Sequence, residues 1–225
     1  MLETGGGVAT VFVTGRVELA DAPACPASTF KLVIALAAME EGMATPDLRH
    51  RCGDVPAVDS RGEAGMREAM RYSSNDYFLW LAGRLGAERV ASWATRVGFA
   101  EGPLASDWVG VDSSAVVRGG ALKVTPRQVH AFTVRLMRGA VTSGAEVQRM
   151  MEEVMAWPSP DPSVRLCGKT GAWGGAAWFT GFVDRSGERK AVTVLVPYRV
   201  PEWGPARERA IREFYARAGF RPPGS

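Results

Sequence analysis

Two residues with chemistry to offer stand three apart at the head of an apolar run, Ser28 and Lys31 in "PASTFKLVIALAAMEEG" (26–42). A lysine is costly inside a core unless its ammonium has partners. On a helix, residues three apart share one face, a turn from each other. A serine in the first turn also lies near unpaired backbone N–H groups and the positive end of the helix dipole. Desolvation favours the neutral amine, and a neutral amine beside a hydroxyl can take its proton and make it a nucleophile. The plainer alternative is a helix-capping serine with a lysine that snorkels to water.

Two further stretches bear on that choice. "YSSNDYF" holds Ser73, Ser74 and Asn75 where a helix begins, and "CGKTGAW" holds Lys169, Thr170 and Gly171 on an expected strand. Ser73 can relay a proton to a leaving nitrogen, and Asn75 can hydrogen-bond a substrate amide. Lys169 offers a fixed positive charge for an anion, Thr170 a hydroxyl, and Gly171 the absence of a side chain where a ligand must meet backbone. Each stretch alone is better read as a cap or a surface strand. Together, in the order S-x-x-K, S-x-N, K-T-G, they form the motif set of β-lactamases and penicillin-binding proteins.

The elements that must position these residues are legible from pattern. Pro26 suits a first helical turn and Gly42 a stop. Every residue from Leu32 to Met39 is apolar, which predicts a helix buried on all sides. "ATVFV" (9–13) reads as a short strand, 43–62 as loop, and 63–97 as three short helices. Residues 98–121 carry five glycines and read as an extended connection. "TPRQVHAFTVRLMRG" (125–139) opens with a capping box of Thr125 and Gln128, and another helix covers 143–156. Strands follow at 164–170, 176–183 and 189–197, the last two joined by "DRSGE", and an amphipathic helix covers 205–218. The expected fold is α/β: an antiparallel sheet flanked by terminal helices, with an all-helical lobe between the first strand and the rest. One domain of 225 residues is expected, with a sheet lobe near 1–30 and 160–225 and a helical lobe near 31–159.

Composition excludes other classes. The chain is 46% hydrophobic and 23% charged, ordinary for a globular protein. The 27 basic residues are dispersed among 24 acidic ones, which argues against a nucleic-acid partner. No apolar run is long enough for a membrane span. Cys25, Cys52 and Cys167 lack zinc-type spacing and are too few for a disulfide framework, although a Cys25–Cys52 bridge stays open. Ser–Lys chemistry needs no metal or cofactor. His50 and His130 have no motif that would place them in a triad. Glu152 and Glu153 read as a solvated helix face. Trp173, Trp178 and Phe179 suit either a cleft lining or core packing.

The chain resembles the penicillin-recognising serine acyl-enzymes, and within them the class D β-lactamases. "PASTFKL" (26–32) is similar to their first motif, "ALKVTPRQ" (121–128) to a segment opening a central helix, and "KTGAWGGAAWFTGFV" (169–183) to their K-T-G strand and its W-x-x-G return, Trp178 to Gly181. The resemblance implies Ser28 as the acylated nucleophile, Lys31 as its base, and the N–H groups of Ser28 and Ala172 as the oxyanion hole. It implies Arg207, with Arg209 as fallback, for the substrate carboxylate. The substrate it implies is a β-lactam or a D-Ala-D-Ala-like small molecule. It further implies an exported bacterial protein whose leader is not part of this chain.

Departures from the class D pattern point elsewhere. Asn75 replaces the usual valine of S-x-V, whose apolar side chain favours carboxylation of the lysine. "SAVVRGGALKVT" lacks the tryptophan that bonds the carbamate, with Trp108 lying further upstream, and no Y-G-N stands near "VGFAEG". S-x-N is the form of transpeptidases, carboxypeptidases and β-lactam sensors, which deacylate slowly. Three readings stay open: a slow β-lactamase, a D,D-carboxypeptidase or transpeptidase, and a sensor.

Overall fold

The structure is a computed structural model, and it describes residues 2–4, 7–9, 13–100 and 122–220. A short hairpin, β1 (Leu2–Thr4) and β2 (Gly7–Ala9), comes first. The expected 9–13 strand overlaps β2 only at Ala9. Its residues 10–12 lie outside the described residues, and Val13 is loop. A second small hairpin pairs β3 (Arg49–Arg51), inside the segment read as loop, with β4 (Glu63–Gly65), at the start of the stretch read as three helices.

The main sheet is antiparallel, in the order β5 (Ala156–Trp157), β6 (Val164–Trp173), β7 (Ala176–Arg185), β8 (Glu188–Pro197). Its long strands match the three apolar runs of the sequence, each extended by a few residues. Ser186 and Gly187 take left-handed φ of 53° and 91° in the β7–β8 turn.

Seven α-helices lie among the described residues: α1 (Lys31–Glu40), α2 (Met66–Tyr72), α3 (Asn75–Leu85), α4 (Ala87–Arg96), α5 (Pro126–Met137), α6 (Ala145–Val154) and α7 (Trp203–Arg217). The capping box at α5 forms as read, Thr125 Oγ1 accepting from Gln128 N–H (3.1 Å) and Gln128 Oε1 from Thr125 N–H (2.7 Å). Residues 101–121, which hold Trp108 and most of the glycine-rich connection, lie outside the described residues.

The core has two parts, one on each face of the sheet. Helix α1 is central to the first, with Leu32 to Met39 at most 3% exposed, packed among α3, α4, α6 and the inner sheet residues Trp178, Phe182 and Cys167. Helix α7 covers the other face, where Phe214 stacks on Phe179 with ring centroids 3.8 Å apart. Trp178 and Phe179 are therefore core residues, whereas Trp173 is 51% exposed.

One expectation is corrected here and one open question is answered. Glu152 is 7% exposed and lies between Arg165 (2.9 Å) and Arg189 (2.8 Å), locking α6 to the sheet, and Glu153 pairs with Arg67. The pattern of α6 could not reveal this, because the arginines come from β6 and β8. No disulfide joins Cys25 to Cys52; all three cysteines are buried thiols. No helix among the described residues is long and apolar enough to cross a membrane.

Candidate active site

Ser28 does not begin a regular α-helix. It lies in a 3-10 turn, Ala27–Phe30, that runs into α1. Ala27 takes φ of 49°, a conformation costly for a residue with a Cβ. The consequence falls on Ser28. Thr29 N–H reaches Pro26 O (3.2 Å), but Ser28 N–H has no acceptor among the described residues. The carbonyl it would use in a continuous 3-10 turn, Cys25 O, instead accepts the indole N–H of Trp178 at 2.8 Å. A backbone donor beside a half-buried serine hydroxyl is thus left for an incoming group, as an oxyanion hole requires.

The turn is seated on β6 at Gly171. A Cβ there would stand 3.1 Å from both Ser28 N and Thr29 N, and 3.2 Å from Ala27 Cβ. Glycine is needed at this position for close approach, but the backbone that approaches belongs to the Ser28 turn rather than to a ligand. Strand β5 is two residues long and pairs only with Leu166 and Cys167. Beyond it, the edge of β6 from Lys169 to Trp173, including half-buried Ala172, has no partner strand on that side among the described residues.

Lys31 and Lys169 are both fully buried and converge on Ser73. Lys31 Nζ donates to Ser73 O (2.5 Å), Ser73 Oγ (3.3 Å) and Asn75 Oδ1 (2.8 Å). Lys169 Nζ donates to Ser73 Oγ (2.8 Å) and Thr170 O (2.9 Å). Burial, then the nearby charges of Lys31 and Arg207, hold the Lys169 ammonium well below the usual lysine range. The Ser28 hydroxyl is not among the hydrogen-bond partners of Lys31. The helix spacing puts the two residues one turn apart as expected, but the amine is held by the second motif.

Local backbone explains how Ser73 reaches both lysines. It is not at the start of a helix but closes α2, with φ of 61°. That left-handed residue turns its carbonyl onto Lys31 before α3 begins. Ser74 is the N-cap of α3, accepting from Tyr77 N–H (3.0 Å) and donating to Asp54 Oδ1 (2.5 Å). Asp54 Oδ2 also accepts from Asn75 N–H (2.5 Å) and Asp76 N–H (3.3 Å). A carboxylate at a helix N-terminus is favourable, and here it fixes the residue that bonds Lys31.

Arg207, in the first turns of α7, donates from Nε to Thr170 Oγ1 (3.3 Å). Arg209, the fallback, is exposed and lines a different groove beside β8. The structure therefore gathers Ser28, Lys31, Ser73, Asn75, Lys169, Thr170, Gly171, Ala172 and Arg207 along one edge of β6. His50 stacks on Trp80 (centroids 4.2 Å apart), and His130 Nδ1 lies 3.3 Å from Thr193 Oγ1. Sequence reading missed two supporting residues: Asp54, which acts across 21 positions, and Trp178, whose motif was visible but whose indole partner was not.

The penicillin-binding protein transpeptidase domain model matches residues 14–215. This chain belongs to that family. Solved structures share the fold. A class D β-lactamase from Nostoc is 21% identical, with TM-score 0.73 over 92% of this chain and 87% of that one. One from Bacillus subtilis is 20% identical, with TM-score 0.74 over 92% and 85%. One from Fusobacterium nucleatum is 20% identical, with TM-score 0.73 over 90% and 85%. The family is one of serine enzymes that β-lactams acylate.

Proposed function

We propose that this protein is a serine acyl-enzyme, class D-like in shape, that β-lactams acylate at Ser28 and that hydrolyses them slowly. The observation that carries the reading is the pair of buried lysines meeting at Ser73 beside a serine whose own N–H is unclaimed. Ser28 Oγ attacks the lactam carbonyl carbon and its proton passes to Lys31, which accepts it as the neutral amine. Negative charge grows on the carbonyl oxygen, where the Ser28 and Ala172 N–H groups receive it. The C–N bond then breaks, and the ring nitrogen takes a proton through Ser73 Oγ, which lies between the two amines. Lys169, Thr170 and Arg207 bind the substrate carboxylate, Arg207 by charge-assisted hydrogen bonds.

Slow deacylation follows from Asn75. Its Oδ1 occupies Lys31 with a polar contact of 2.8 Å, where the class D valine would leave the amine in apolar surroundings suited to a carbamate. The same contact favours a second reading, a D,D-carboxypeptidase or transpeptidase, or a sensor, in which the acyl-enzyme or its transfer is the purpose. Both place the protein outside the cytoplasm, where β-lactams and peptidoglycan are met. Mixing with a chromogenic cephalosporin tests the proposal: a burst of one equivalent followed by slow turnover is expected. Absence of both burst and turnover would overturn it. Cleavage of a D-Ala-D-Ala peptide would select the second reading.

A further inference from the structure

Arg71 has no role in the chemistry above, yet it closes on the same site. It stands in the last turn of α2, two residues before Ser73, with its guanidinium carbon 4.2 Å from the ring centre of Trp157 on β5. Trp157 meets Phe179 edge-on (centroids 4.9 Å apart), and Phe179 is the register partner of Thr170, which Arg207 holds. Arg71 and Arg207 thus approach one patch of the sheet, from α2 and from α7.

Neither guanidinium has a carboxylate within ion-pair distance among the described residues, whereas Arg67, Arg127, Arg165, Arg189 and Arg217 all do. Arg71 Nη1 is buried without a hydrogen-bond acceptor among the described residues, although the residue as a whole is half-exposed. A cation serving only the C-terminus of α2 would bond its last carbonyls, and Arg71 bonds none. Burial lowers the proton affinity of each arginine, and Arg71 lowers that of Arg207 further. Such an arrangement is completed by an anion.

We propose that Arg71 is a specificity-determining residue that, with Arg207, forms a two-guanidinium site for the carboxylate of the substrate. The inference rests on the acyl-enzyme reading for its substrate class. Arg207 meets the carboxylate from the Thr170 side, and Arg71 meets it from the Trp157 side, swinging its orphaned N–H onto the anion. Neutral ligands gain nothing from either.

The test compares a penicillin with its methyl ester as acylating agents, in the unmodified protein, Arg71→Gln and Arg71→Lys, with thermal melts to confirm folding. Arg71→Gln should slow acylation by the acid about tenfold or more, the loss of a charge-assisted bond, and leave the ester within about twofold. Arg71→Lys should recover part of the loss. Equal losses with acid and ester, or an unchanged acid-to-ester ratio, would overturn the proposal. If neither compound labels the unmodified protein, the acyl-enzyme reading is what fails. Equilibrium binding of phenylacetylglycine against its amide then decides on Arg71: lost carboxylate preference in Arg71→Gln supports the pair, and unchanged preference overturns it.

Discussion

Replacing Gly171 by alanine probes how tightly the nucleophile turn is held. The added Cβ would lie 3.1 Å from two backbone nitrogens and 3.2 Å from Ala27 Cβ, so its neighbours must give by a few tenths of an ångström. They cannot give independently. Ser28 N and Thr29 N belong to one short turn, held at its start by the Trp178–Cys25 bond and continuing directly into α1, which is buried from Lys31 to Met39. Overpacking of this kind costs about 1–3 kcal/mol. For a chain of this size that is a fall in Tm of roughly 2–12 °C. The turn moves as a unit, and Ser28 moves with it relative to Lys31 and Ser73. Since misplacement by 1 Å can cost about a hundredfold, a few tenths should slow acylation about three- to tenfold. Fluorescent-penicillin labelling kinetics and thermal melts on the same protein measure both effects. Unchanged Tm together with unchanged labelling would refute the seating of the turn on β6.

Asn75→Val removes an acceptor of Lys31 and leaves an apolar neighbour. Cephalosporin hydrolysis should become faster and bicarbonate-dependent, while the unmodified protein responds little to bicarbonate; a large bicarbonate effect without the substitution would contradict the role given to Asn75. Because burial and the neighbouring cations disfavour the Lys169 ammonium, an arriving carboxylate should restore its proton. Binding of an anionic ligand should therefore take up protons at pH values below the ordinary lysine pKa of 10.5 and above the lowered value of Lys169, as calorimetry in buffers of different ionisation enthalpy would read. Proton release would count against it. The thiols should be slow toward a disulfide reagent in the native state, burial and Glu152 having pushed Cys167 up to about 12 and burial having raised Cys25 and Cys52, whereas all three should react in denaturant. Rapid native labelling would contradict the burial described.

Local signals in the sequence carried much of the architecture. The apolar run of α1, the capping box of α5 and the strand runs of β6 to β8 each depend on neighbours a few residues away, and each element formed where its signal lay. The chemistry-bearing triplets were legible for the same reason. The geometry that makes them a site was not, because it is set by contacts between distant segments. Ala27 is left-handed in the turn whose Cys25 carbonyl is claimed by Trp178, 153 residues on. Asp54 fixes Asn75 from a loop with no motif, and Glu152 is buried by arginines of two other strands. Ser73 looked like the start of a helix because Ser74, one position later, is its cap. Gly171 was rightly marked for close approach, but its partner could be named only once the turn was seen against the strand.

Intact mass after mixing with a penicillin, for the unmodified protein and for Ser28→Ala, tests the central claim most directly. Removing the hydroxyl leaves the Trp178–Cys25 anchor and the Gly171 contact in place and breaks no helix cap, since neither the Ala27–Phe30 turn nor α1 is capped by a side chain, so the variant should stay folded. The expected result is a long-lived adduct of one penicillin mass on the unmodified protein, mapped to the peptide holding Ser28, and none on the variant. An adduct that persists in Ser28→Ala, or no adduct on either protein, would contradict it.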